Sequence, residues 1–518
     1  MSVLTIIITL FCLLLILYWI STRKFNYWLS RNVIQPAPLP LFGNYIDYII
    51  LRKSIHEVVR DVCVKFPKEP YIGVYYGTLP TLIVQEPELI KQIFTKDFYY
   101  FNGREASEYS HREAITKTLF FTSGDRWRVI RQNLTPLFSS AKMKKMFYLI
   151  EECSNIFLKL LDDVSEIPSV EIKALVARYT IDCIGSCGFG IQTKAMLVEK
   201  NNPFFVIGQM IFEASNVRGF KNMARAVWPD LFYKLGFELF PSELTEFFDK
   251  LLKDVFKERN YKDSGRHDFV DLVLSLKQNK HLDGDSIKNL KGGTEKCLIE
   301  ADNDFLSAQC MLFFAAGYET SATTLSFLLY ELAKNSDKQR RAIAEVDEYF
   351  KRRNKLEYEC LFETPYLEAC INETLRLYPV LGVLTREVVE DFKLPSGVLL
   401  NKGVRIHIPV YSIHRDPKYF PNPDDFIPER FLGNEKDNII PFTFLPFGEG
   451  PRICIGMRFA KMQVTAGLLT ILRKCHIGLT KDTITKVDFE PRSITTQCAK
   501  GIHLKFTLSY WEVKLISD

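Results

Sequence analysis

The chemically most distinctive residue is Cys454, in the segment FGEGPRICIG at 447–456. A free cysteine is ordinarily a small buried hydrophobe, and only its surroundings can make it more than that. Here Gly448, Gly450 and Pro451 predict a tight turn before the sulfur, and Gly456 permits close backbone approach after it. Such a loop can point several backbone N–H groups at one sulfur. Arg452 adds a fixed positive charge two residues away, and both features favour a thiolate. The other eleven of the 12 cysteines are scattered singly with no C-x-x-C pair, which excludes a disulfide framework or zinc module and fits a reducing compartment.

Three further constellations can do chemistry or support it. In FFAAGYETSATT (313–324), Gly317 interrupts a helical pattern at a cost of about 1 kcal/mol relative to alanine, so it calls for a reason. Thr320 lies four residues after Ala316, where its hydroxyl can bond back to that carbonyl and bend the helix. Glu373 and Arg376, in INETLRLYP, share one helical face inside an apolar stretch. A pair buried there needs a further partner, and Arg430 in FIPERF is the candidate. Trp127 and Arg131, in GDRWRVIR, stand at i and i+4 on one helical face.

The cysteine segment fits F-x-x-G-x-R-x-C-x-G at every position and resembles the haem-thiolate signature of the cytochromes P450. Composition alone would produce that match in a chain of this length with a probability of about 10⁻⁴. The resemblance covers essentially the whole chain and implies Cys454 as the axial ligand of a haem b iron, with Phe447 and Gly456 against the macrocycle. It implies propionate contacts from Trp127, Arg131, Arg386 and Arg452, and a structural triad of Glu373, Arg376 and Arg430. Ala-Gly-x-Glu-Thr resembles the family's distal helix, which implies that Thr320 and Glu319 deliver the protons for O–O cleavage. Substrate contacts implied by analogy are Phe120, Phe121, Phe313, Ala316, Val383 and Thr495. The wording around AAGYETSATTLSF and HRDPKYFPNPDDFIPERF looks most like insect microsomal enzymes of the detoxification clan.

These residues need a large body to hold them. The chain has 518 residues, 47% of them apolar, with 67 Lys+Arg against 62 Asp+Glu, a balance that excludes disorder and gives no sign of nucleic acid. Val3 to Ile20 carries no charge and spans about 27 Å as a helix, close to the thickness of a bilayer core. Tyr18, Trp19 and Ile20 stand where a cleavage site would need small residues, and Arg23, Lys24 and Arg31 follow. We therefore expect a retained single-pass anchor over 1–22 with the remaining mass in the cytosol, at the endoplasmic reticulum membrane. A basic and proline-rich linker is expected over 23–45, and one haem-binding monooxygenase domain over 46–518. Helical spacing dominates Glu57 to Phe350, while Ile72–Val84, Val398–Val410 and Ile502–Tyr510 alternate like strands. The predicted class is mainly α with small β-sheets, the cytochrome P450 fold.

No G-x-G-x-x-G opens a helix after a strand, so no dinucleotide site is expected. The resemblance accordingly implies NADPH-derived electrons from a separate flavoprotein, the NADPH-cytochrome P450 reductase, with cytochrome b5 as a second donor. Arg126, Arg128, Lys142, Lys144, Lys145 and Arg458 are the expected basic docking face. The expected reaction is monooxygenation of a lipophilic small molecule such as a plant toxin or insecticide. Three alternatives stay open at this point: a haem-thiolate isomerase or dehydratase, a hydroxylase of an endogenous hormone or lipid, and a haem sensor or carrier without turnover.

Overall fold

A helix that is apolar on every side has to be buried on every side. Asn303–Lys334 is such a helix, and 24 of its 32 residues are buried. In this computed structural model, which describes residues 3–197, 201–262, 264–265 and 268–509, it forms the axis of the molecule. Asp302 starts it, its side chain accepting from the Phe305 N–H at 2.7 Å. Helices Ile172–Ile184, Ser242–Glu258 and Met457–Lys474 pack along it. Gly317 is where the first of these comes closest, because a Cβ there would lie 2.6 Å from Ile184 Cδ1. Close helix packing is thus the reason for that glycine.

The sheets are small. Tyr71–Tyr76 and Leu79–Val84 form the expected antiparallel hairpin about Gly77 and Thr78, and Leu79–Val84 then pairs in parallel with Arg405–Ile408 through Thr81 and Arg405. Leu384–Glu387 closes this sheet on the far side, with Arg386 opposite Ile406. The stretch 398–410 is not one strand: Leu399–Leu400 and Arg405–Ile408 belong to different sheets. Cys475–Leu479, His503–Leu508 and Val170–Glu171 make a second sheet. A third element, the hairpin His281–Asp285 with Lys296–Glu300, lies within the region expected to be helical.

Helix Val3–Thr22 is long and apolar enough to cross a membrane, and none of its most apolar stretch is covered by the rest of the chain. The segment after it, expected as a linker, is fastened down. Trp28 is fully buried, its indole N–H donating to the Val74 carbonyl at 2.9 Å, and Arg31 donates to the Leu399 carbonyl and the Asn401 side chain.

Candidate active site

The cysteine loop has the geometry its glycines predict. Gly448 and Gly450 adopt φ of +70° and +72°. A Cβ at Gly450 would stand 1.9 Å from the Phe94 carbonyl oxygen, so glycine is required there on two counts. The Cys454 N–H donates to the Phe447 carbonyl at 2.9 Å. Protein surrounds the Cys454 thiol, yet water-sized space reaches it, so the sulfur forms part of the wall of an interior chamber. A Cβ on Gly456 would meet nothing within 4 Å, which leaves open space two residues beyond the sulfur. Burial pushes the thiol pKa up, opposed by the Gly456 N–H and by Arg131 and Arg104. Arg452 does not supply the expected charge to the sulfur. Its guanidinium lies over the Trp127 ring at 4.5 Å and donates to the Thr122 carbonyl at 2.6 Å.

Four arginines converge beside this chamber: Arg104, Arg131, Arg386 and Arg452. Burial pushes all four pKa values down, Arg104 to about 10, and repulsion from neighbouring arginines adds to this at Arg104, Arg386 and Arg452. Among the described residues none has a carboxylate within ion-pair distance, and the Nε atoms of Arg104, Arg386 and Arg452 are buried without a hydrogen-bond partner. Buried cations in this state need a counter-charge. A dianionic ligand with two carboxylates fits them, and Cys454 beside them offers a sulfur ligand for a metal that such a group carries. Arg104 was not foreseen. It lies in a loop with no periodicity, and its only mark is the Phe120 ring stacked 4.1 Å from the guanidinium carbon.

On the central helix, Leu312, Ala316 and Thr320 form an i, i+4, i+8 face reached by water-sized space, and Thr320 Oγ1 donates back to the Ala316 carbonyl at 2.8 Å. Phe313, expected to touch substrate, is instead packed between Phe269 and Phe138 at centroid distances of 4.3 and 5.4 Å. One residue along a helix is a turn of about 100°, and it is Leu312 that shares the partly open face of Ala316 and Thr320. Val383 is likewise in the core, with Tyr45 and Val59. Thr495 is buried and donates to Glu319 at 3.3 Å. Phe120 and Phe121 remain partly open and meet edge to face at 5.1 Å.

The support beneath the cysteine loop is the fully buried Glu373–Arg376 pair, joined by two hydrogen bonds of 2.7 and 2.8 Å. Arg376 also donates to the carbonyls of His414, Pro423 and Asp425. Arg430 reaches Glu373 at 3.4 Å and the Asn422 carbonyl at 2.9 Å. His414 continues the network by accepting the Leu445 N–H at 2.8 Å on Nε2, which leaves its Nδ1 to face the Arg376 carbonyl at 3.3 Å.

The expected basic face is smaller than its sequence. Arg126 is half-buried with an orphaned Nε, and the Arg128 side chain is only 17% exposed beside Asp285 of the hairpin. Lys144 is paired with Glu359 at 2.6 Å. Lys145 and Arg458 are exposed, and Arg458 lines an open depression of about 570 Å³ together with Arg131, Thr135 and Ser139.

An enclosed cysteine, a threonine-bearing helix and a ring of cations without counter-ions, set in a mainly helical body, define a haem-thiolate protein as a class. The chain belongs to the cytochrome P450 family, whose family model matches residues 34–506. It is 38% identical over 488 residues to cytochrome P450 6B5 of Papilio glaucus, covering 93% of this chain and 100% of that one. Cytochrome P450 6B2 of Helicoverpa armigera is 37% identical over 495 residues, 95% of this chain and 96% of the relative. Cytochrome P450 6k1 of Blattella germanica is 35% identical over 513 residues, 98% of each. The chain is a monooxygenase of the insect type these relatives represent.

Proposed function

We propose that the enzyme inserts one oxygen atom into lipophilic xenobiotics such as plant toxins or insecticides, with Cys454 as the axial thiolate of its haem. The observation that carries the haem site is the cluster of four arginines without counter-charge beside Cys454. Arg104, Arg131, Arg386 and Arg452 would hold the propionates, with Trp127 covering Arg452. Bound there, the haem supplies activation of dioxygen and transfer of one of its atoms to substrate. Thr320 presents a hydroxyl to the chamber, bonded back to the Ala316 carbonyl, and Glu319 next to it in the chain would be the acid that supplies protons. Phe120, Phe121, Leu312 and Ala316 offer apolar contact to the substrate. The rest of the 447–456 loop, with Phe447 and Gly456, holds the sulfur in place.

Residues 1–22 anchor the protein in the endoplasmic reticulum membrane, 23–45 form the neck, and 46–518 stand in the cytosol as one domain. Electrons come from the NADPH-cytochrome P450 reductase, with cytochrome b5 as a second donor, docking over Lys145 and Arg458. Charge reversal at these two positions should raise the KM for reductase and flatten its salt dependence. The central test is the carbon monoxide difference spectrum of reduced wild type against Cys454→Ser. Loss of the thiolate-type band in the variant is expected, and its retention removes Cys454 from the role. Turnover of a panel of plant toxins and insecticides with NADPH and reductase, set against hormones and hydroperoxides, tests the substrate class.

A further inference from the structure

The loop that carries Arg104 is fastened at three points. Asn102 Oδ1 accepts the Gly124 N–H at 2.8 Å, at the start of the helix Gly124–Leu134 that holds Trp127 and Arg131. The Gly103 carbonyl accepts the Glu387 N–H at 2.9 Å, one residue beyond Arg386, and a Cβ at Gly103 would stand 2.9 Å from the Glu387 carbonyl oxygen. Glu105 then reaches the next strand, where its Oε1 accepts from His407 Nε2 at 2.7 Å and the Tyr45 hydroxyl lies 2.8 Å from His407 Nδ1. His407 is fully buried on Arg405–Ile408, opposite Thr385 of the strand that bears Arg386. Burial holds the Tyr45 pKa well up, so its hydroxyl donates to Nδ1 and leaves the Nε2 proton for Glu105. Burial also pushes Glu105 up, but the His407 bond and the charges of Arg405 and Arg225 hold it below the ordinary carboxylate value. Between these points the backbone is strained. The Ser107 N–H donates to the Arg104 carbonyl at 3.0 Å, and Ala106, buried inside that turn, has φ of +55°, a conformation that favours glycine. Such a turn persists only where its surroundings fix it.

We propose that Glu105 and His407 are positioning residues for the haem: their hydrogen bond, backed by Tyr45, ties the strained turn to the sheet and keeps Arg104 aimed at a propionate. Arg131 repels the Arg104 guanidinium, so the force that holds it in place has to come from its neighbours in the loop. Asn102 and Gly103 locate one end of that loop, and Glu105 fixes the other. Because the strand of His407 pairs with the strand of Arg386, the same bond sets two members of the arginine cluster in register. Neither Glu105 nor His407 belongs to the cluster, and both act through Arg104. This inference rests on the reading that Arg104 binds a propionate.

The test compares His407→Phe, Glu105→Leu, Glu105→Gln, Arg104→Leu and the Arg104→Leu/His407→Phe double variant as full-length holoproteins, by haem transfer to an apo-globin and by the ferric–ferrous potential. His407→Phe and Glu105→Leu should each speed transfer by roughly ten- to a hundredfold, the equivalent of one lost charged hydrogen bond. Both should lower the potential, as Arg104→Leu does, because a positive charge near the iron favours the ferrous state. Glu105→Gln keeps an acceptor for His407 Nε2 and should stay close to wild type in both readouts. In the Arg104→Leu background His407→Phe should add nothing further, since its effect runs through Arg104. Glu105→Leu in that background repeats the cycle if His407→Phe does not fold. Equal acceleration with and without Arg104 would make the bond a general support of the fold and overturn the proposal, as would wild-type transfer in both His407→Phe and Glu105→Leu. If Arg104→Leu alone is silent, the propionate reading of Arg104 falls first and takes the positioning role with it.

Discussion

Arg376→Met is the substitution whose consequence can be worked out most fully. The guanidinium is fully buried and makes five hydrogen bonds, two to Glu373 and three to carbonyls of residues 414, 423 and 425. Methionine fills much of the volume and makes none of them. Removing one member of a buried ion pair costs about 3–5 kcal/mol, because the other charge stays behind. Three carbonyls losing a charged donor add about 1 kcal/mol each. The sum, roughly 6–8 kcal/mol, falls within the range of the whole stability of a domain, about 5–15 kcal/mol. Glu373 keeps the Ile427 N–H at 2.8 Å and Arg430 at 3.4 Å, which partly offsets the loss.

The expected result is expression of a protein that unfolds at much lower denaturant and does not retain haem. The damage reaches the site through His414 and the Leu445 N–H into the loop that carries Cys454. Denaturant unfolding and haem content measure it, and Arg376→Met/Glu373→Leu should recover about half of the lost stability by removing the stranded charge. A single variant that unfolds within about 1 kcal/mol of wild type would refute the reasoning, because the pair would then be dispensable for the fold.

His56 and His414 are held neutral, each with a pKa near about 3, by burial first and then by Arg415 and Arg376 respectively. Their folded values are depressed, so only the unfolded chain gains protons below pH about 6.5, and stability should fall towards pH 3 by up to about 1.4 kcal/mol per unit for each imidazole. Urea unfolding between pH 7.5 and 5 measures the slope, which His56→Phe should make shallower. Gly317→Ala sets about 1 kcal/mol of helix propensity against roughly 1–3 kcal/mol of overpacking on Ile184, whose Cγ1 would be 2.7 Å away. A net loss is expected by thermal unfolding, relieved by Ile184→Ala; unaided stabilisation would contradict the close packing. Arg104→Leu should speed haem transfer to an apo-globin by roughly ten- to a hundredfold, for a charged hydrogen bond of about 1.5–3 kcal/mol. An unchanged rate would remove Arg104 from the propionate set.

Local patterns told most where the partners are close in sequence. The cysteine loop, the Thr320 back-bond and the Glu373–Arg376 pair involve separations of a few residues, and each has the geometry expected from spacing and residue type. Helical phase was read less sharply: Phe313, expected at the substrate, packs between Phe269 and Phe138. Glu105 and His407 are 302 residues apart, and nothing at either position announces the other. The hairpin 281–300 escaped because its strands are short and heavily charged, so that apolar alternation is weak. The segment 23–45 was expected as a linker on the strength of its prolines, and what the prolines do not announce is Trp28, which packs beneath Gly73 with no room for a side chain there.

Both polar clusters lie deep in one molecule, and the difference between them indicates which one awaits a ligand. Around Glu373 the charges are matched and every described guanidinium nitrogen of Arg376 has an acceptor, as a permanent part of a fold requires. Around Arg104, Arg386 and Arg452 three Nε atoms have none, and positive charge is stacked on positive charge. A protein meant to stand alone would gain by replacing such residues with apolar ones of similar size. Their retention is intelligible only if the missing acceptors arrive from outside the chain, and the aromatic faces of Phe94, Phe120 and Trp127 then explain how the cations are kept apart until they do. On this argument the thiol is the less diagnostic half of the site: free cysteines are common in this chain, but four arginines without a carboxylate partner beside one of them are not.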